Sequence, residues 1–156
     1  MARLGNFIHK ILGRTRVVES GSYPLYRLIA LSATISAILQ MATQTWPQSF
    51  VDAATTTWSG WVFSTAQLFG GLFVWIALYM HEDSEPSLSR VQISLSLERM
   101  GCALMISVIG TYTYGVVDQN GGIPKTWATW ALMFFGLYLV YRFNEIRKAL
   151  KELRSE

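Results

Sequence analysis

Glu98 and Arg99 are where chemistry is sought first in this chain, because they open an otherwise apolar run, residues 97–117, LERMGCALMISVIGTYTYGVV. A carboxylate facing lipid is costly, so Glu98 must look towards a helix neighbour, water or the headgroup region. Neighbouring residues on a helix project about 100° apart, so Glu98 and Arg99 need not pair with each other. Two roles fit. Either both sit at the cytoplasmic interface and set the depth of the helix, which is the expectation adopted, or Glu98 couples protons or lines a pore. No other chemistry emerges. His9 and His81 lie outside the apolar runs and leave no axial pair for a membrane haem. There is no HExxH, CxxC, glycine-rich phosphate loop or nucleophile elbow. Cys102 is the lone cysteine, inside an apolar run, where it serves as a small packing residue. Two His and one Cys do not make an ordinary zinc site. The sequence therefore predicts no enzyme, no metal and no cofactor.

The elements that hold these residues follow from composition. Of 156 residues, 51% are apolar and only 15% charged, against about a quarter charged in a soluble domain. The charges gather at the two ends and in one central segment, so the class is an all-α integral membrane protein. Four apolar runs are expected to span, at about 25–45, 58–80, 97–117 and 126–143, within a domain covering 21–143. Residues 1–20 form an amphipathic arm, with Leu4, Phe7, Ile8, Ile11 and Leu12 on one face and Arg3, His9, Lys10 and Arg14 elsewhere. Such a helix suits the plane of the membrane interface, or the protein's own cytoplasmic surface. Residues 144–156 form a basic cytoplasmic tail that continues the fourth helix. Its stripe of Phe143, Ile146, Leu150 and Leu153 is a candidate docking surface.

Between these runs the punctuation is clear at three points and ambiguous at a fourth. Trp46-Pro47 marks one interface, and residues 49–57, SFVDAATTT, read as a partly polar helical lead-in to the second span. The segment 81–86, HEDSEP, is a solvated break, and QNGG at 119–122 is a tight turn. Residues 90–97 alternate polar and apolar like a strand. An isolated strand beside a membrane has no backbone partner, so a helix starting near Ser87 and running into the third span is preferred. Small residues mark helix contacts: Ala66, Gly70 and Gly71 in the second span, Gly101 and Gly110 in the third.

Orientation comes from the basic residues. Arg3, Lys10, Arg14, Arg16 and Arg27 lie at the front, and Arg142, Arg147, Lys148, Lys151 and Arg154 at the back. Arg90 and Arg99 flank the middle loop, and Lys125 stands alone in the other two. The positive-inside rule puts both ends and the middle loop in the cytoplasm, as an even number of spans requires. Topology thus accounts for the basic excess, and no nucleic-acid partner is implied. The partners expected are the lipid bilayer and either further copies of the chain or a larger membrane complex.

Several of these features together resemble small four-span membrane proteins encoded by phages of actinobacteria. The features are Trp46-Pro47 and Trp58 before the second span, Gly70-Gly71 within it, Leu97-Glu98 with Gly101 opening the third, and Arg142 through Ile146-Arg147 after the fourth. The likeness covers about 45–153. It implies a bacterial inner-membrane location and a holin-like role, in which the protein oligomerises and permeabilises the membrane. Two other roles suit the residues: an accessory membrane subunit docked through its cytoplasmic amphipathic segments, and a small proton-coupled transporter using Glu98.

Overall fold

The computed structural model describes residues 24–53, 57–80 and 88–154. Five helices make up this part of the chain: α1 (Pro24–Thr43), α2 (Gln48–Ala53), α3 (Thr57–Met80), α4 (Leu88–Asn120) and α5 (Trp127–Arg154). No strand occurs among the described residues. The basic arm of 1–20 and the acidic break of 81–86 lie outside them.

Three of the helices, over Pro24–Thr43, Trp58–Met80 and Ser89–Asn120, are long and apolar enough to cross a membrane. Helix α5 is long enough but less apolar, because Arg142 and Asn144 enter its last apolar turns and Trp127 and Trp130 open it. The four long helices run up and down alternately. Contacts of α1 with α3 descend one helix as they climb the other, from Arg27 with Leu78, through Ala33 with Gln67, to Gln40 with Ser64. Likewise Ser94 of α4 meets Ala77 of α3, and further along Gly70 faces Met105.

The ends of the helices have local causes. Helix α1 stops where Gln44 takes a left-handed conformation, φ 52°, and the Thr45 amide donates back to the Gln40 carbonyl. Helix α4 ends in a Schellman arrangement. There Gly121 adopts φ 61°, its amide donates to Asp118 O, and that of Gly122 donates to Val117 O. Helix α5 begins with Thr126 and Thr129 sharing a hydrogen bond of 2.7 Å and the Trp130 indole donating to the Pro124 carbonyl.

Glycine makes the bundle tight. A Cβ on Gly101 would stand 2.7 Å from a Val74 methyl and 2.9 Å from the Gly70 carbonyl oxygen, and one on Gly71 would stand 2.7 Å from the Ala30 carbonyl oxygen. Gly70 and Gly101 therefore let α3 and α4 touch backbone to backbone, and Gly71 does the same for α1 and α3. Ala66 packs beside the smaller apolar cluster of Phe50, Phe63 and Val108. Gly110 departs from the expectation: nothing lies within 4 Å of its Cβ position, and it faces outward.

Two further expectations are refined. Helix α4 starts at Leu88, the continuous helix expected, and the alternation at 90–97 has no bearing on which side is buried. Val91, Ser94, Leu95 and Glu98 point inward at helical spacing, while apolar Ile93 is exposed. Ser94 is tolerated inside because its hydroxyl donates to the Ala77 carbonyl at 2.9 Å. The lead-in before the second span is a separate short helix, α2, laid against α4. Phe50 stacks on Phe63, with ring centroids 4.6 Å apart, and the Ser49 carbonyl abuts Gly115.

Candidate functional site

Glu98 and Arg142 form the charged centre of the bundle. Glu98 lies on the inward face of α4, and Arg142 on the facing side of α5. The Arg142 Nε donates to Glu98 Oε1 at 2.8 Å and its Nη2 to Oε2 at 3.2 Å, a two-pronged pairing. Both are withdrawn from solvent, Glu98 at 1% exposure and Arg142 at 6%. A third group, Glu145, approaches Arg142 Nη1 at 3.6 Å from one turn further along α5.

The partner of Glu98 therefore comes from a different helix and not from its neighbour in sequence. Arg99 follows Glu98 by one residue, projects about 100° away, and is half-buried on another face. Glu98 itself is enclosed between two helices instead of lying at the surface of the bundle. The reason is depth. In antiparallel helices the beginning of one run lies level with the end of the next, so Glu98 meets Arg142.

An aromatic and thiol layer closes the pair on its inner side. One turn along α4 from Glu98 lies Cys102, fully buried, which shares a 3.3 Å hydrogen bond with the Tyr26 hydroxyl of α1. The Tyr26 ring meets Tyr138 edge-on at 5.3 Å and Phe135 at 6.2 Å, and Phe135 and Tyr138 stack at 6.1 Å. This layer ties α1 to α4 and α5. The carboxylate and guanidinium, engaged with each other, tie α4 to α5 at this level. Among the described residues, no three His, Cys, Asp or Glu gather where a metal ion could be held.

The stripe offered for docking is occupied by the chain itself. Ile146 and Leu150 are buried in the main core with Val91 and Leu95 of α4, and Phe143 and Leu153 pack against the same cluster. The first turns of α4 and the last turns of α5 thus cover each other as a helical pair.

A polar set escaped the sequence reading altogether. Ser36, Gln40, Ser64 and Gln67 line the α1–α3 side in the half of the bundle away from Glu98. Gln40 Nε2 donates to Ser36 Oγ at 3.0 Å, Ser64 Oγ donates to Gln40 Oε1 at 2.9 Å, and Gln67 Nε2 donates to Ala33 O at 3.1 Å. Two glutamines inside apolar runs, at 40 and 67, were the available signal. Comparison with known proteins adds no assignment: no family model, no curated protein and no solved structure matches the chain.

Proposed function

We propose that the chain is a non-enzymatic, four-span protein of a bacterial cytoplasmic membrane, with both ends cytoplasmic, that associates with its own copies and permeabilises the bilayer as holins do. The outward face of α4 carries this proposal. Ala103, Ser107, Gly110, Thr111 and Tyr114 are all exposed there, forming a small and hydroxylated band on a helix otherwise apolar enough to span. The Ser107 and Thr111 hydroxyls donate to carbonyls one turn back, at 3.1 and 2.9 Å, which leaves the surface low in profile. Faces of this kind let a second helix approach closely within lipid, and a hydroxylated face also tolerates the edge of a water-filled lesion.

Helix α5 serves as the fourth span. Its one charge before Phe143 is Arg142, and Glu98 neutralises it, which offsets the deficit in apolar character. The accessory-subunit role has less support, because Ile146 and Leu150 are already covered by α4. The proton-coupled role has less too, because both oxygens of Glu98 are engaged by Arg142.

The test is induced expression in a bacterial host, following optical density and membrane potential together, with and without a cytoplasmic murein hydrolase. Abrupt depolarisation and hydrolase-dependent lysis are expected. Gly110→Ile should delay both at an unchanged amount of membrane-inserted protein. Quiet accumulation with an intact potential would overturn the proposal.

A further inference from the structure

The geometry points to a small-molecule site: the half-open groove among the four long helices binds a compact, uncharged amphiphile whose apolar body carries one hydroxyl or N–H donor. The groove measures about 260 Å³ and is walled by Ala33, Phe63, Met105, Ile109, Leu132 and Phe135, with Pro47 at its far end. It follows α1 from Ile29 to Gln40, a length of about 16 Å at the helical rise. Pockets for drug-sized ligands run to about 300–1,000 Å³, so the occupant is smaller than those. No charged residue lines the space, and a charged ligand would lose its hydration without compensation.

The polar lining sets the donor requirement. Both ends of the Gln40 amide are committed, the nitrogen to Ser36 and the oxygen to Ser64. Gln67 is different. It is only 9% exposed, and its nitrogen is fixed on the Ala33 carbonyl, which can accept only from a donor and so orients the amide. Its side-chain oxygen makes no hydrogen bond among the described residues, and neither does the hydroxyl of Tyr112, which also lines the groove. An acceptor that faces a mostly hydrocarbon groove without a partner is costly. A lipid tail would fill the space and leave that oxygen unpaired, whereas a donor-bearing amphiphile meets both demands at once. The Phe135 ring, stacked with Tyr138 and tilted against Tyr26, closes the end of the groove nearer Glu98 and Arg142. The site is thus separate from the charge pair and independent of the α4 outer face.

The test uses the full chain in lipid nanodiscs and equilibrium dialysis of two probes, 1-naphthol and its methyl ether, with empty nanodiscs as the partition control. Saturable binding of one naphthol per chain is expected, about tenfold tighter than the ether. Gln67→Met should lower naphthol affinity about tenfold and leave the ether unchanged, and Leu132→Trp, which fills the space, should abolish both. Circular dichroism checks that each variant is folded; should Leu132→Trp fail to fold, Gln67→Met decides alone. Uptake no greater than by empty nanodiscs would mean that lipid or water is the occupant and would overturn the proposal. Equal affinity for the two probes, indifferent to Gln67→Met, would reduce the site to an apolar crevice and overturn it equally. None of these outcomes depends on whether the protein permeabilises membranes.

Discussion

Breaking the Glu98–Arg142 pair should cost a large share of the stability of the bundle, while removing both partners together should not. The pair is buried on both sides, with 2.8 and 3.2 Å bonds. Removal of one member of such a pair costs about 3–5 kcal/mol, because a charge is left enclosed without a partner. Glu98→Gln should fall near the low end, about 3 kcal/mol, since Glu145 at 3.6 Å still partly compensates Arg142. Arg142→Leu should fall near the high end, about 5 kcal/mol, since it strands the Glu98 carboxylate, for which no second cation within salt-bridge distance is found among the described residues. Against a total of about 5–15 kcal/mol, either single change is severe. The double variant Glu98→Met with Arg142→Leu replaces the pair with hydrocarbon of similar volume. It should lie within about 1 kcal/mol of the parent or above it. Reversible unfolding in mixed dodecylmaltoside and dodecyl sulfate micelles, followed by circular dichroism and Trp fluorescence, gives all four corners of the cycle. Single changes that each cost less than about 1 kcal/mol, or a double that costs their sum, would refute a buried clamp.

Gly101→Ala should destabilise the bundle by about 1–3 kcal/mol, because its methyl would press on Val74 and the Gly70 carbonyl. The same change at Gly110 should be neutral or stabilise the monomer by up to about 1 kcal/mol, and unfolding midpoints compare the two directly. Cysteines placed at Thr45 and Lys125 should react with an impermeant maleimide from outside intact cells, and one at Lys151 only after permeabilisation. Cys102, fully buried, should stay silent throughout; labelling of Lys151→Cys from outside would refute the four-span topology. Ser94→Ala should cost about 1 kcal/mol in the same unfolding assay, the worth of its bond to Ala77, and a variant as stable as the parent would show that this buried hydroxyl is dispensable.

Much of the architecture was legible because it depends on local quantities. Apolar runs and polar breaks mark the helices α1, α3, α4 and α5, and Gln119–Gly122 marks the turn whose left-handed residue is Gly121. Gly70, Gly71 and Gly101 were recognisable as contact points because small residues at helical spacing have few other uses in an apolar helix. The alternation at 90–97 was the least informative stretch. Ile93 outward and Ser94 inward reverse the usual rule, and Ser94 is accommodated because its hydroxyl donates to the Ala77 carbonyl.

By itself, the sequence determined that the chain is helical with at least three runs apolar enough to span a membrane, and that breaks fall at Trp46-Pro47 and at 119–122. Those properties follow from residue type and spacing along one strand of chain. Only the tertiary structure decided that Glu98 pairs with Arg142 instead of Arg99, that Ile146 and Leu150 are covered by α4, that Gly110 faces outward, and that Gln67 presents an acceptor to a groove. Each of these depends on which face of one helix meets which face of another. Within the apolar runs both faces of each helix are apolar, so periodicity there does not distinguish the inward face from the outward one.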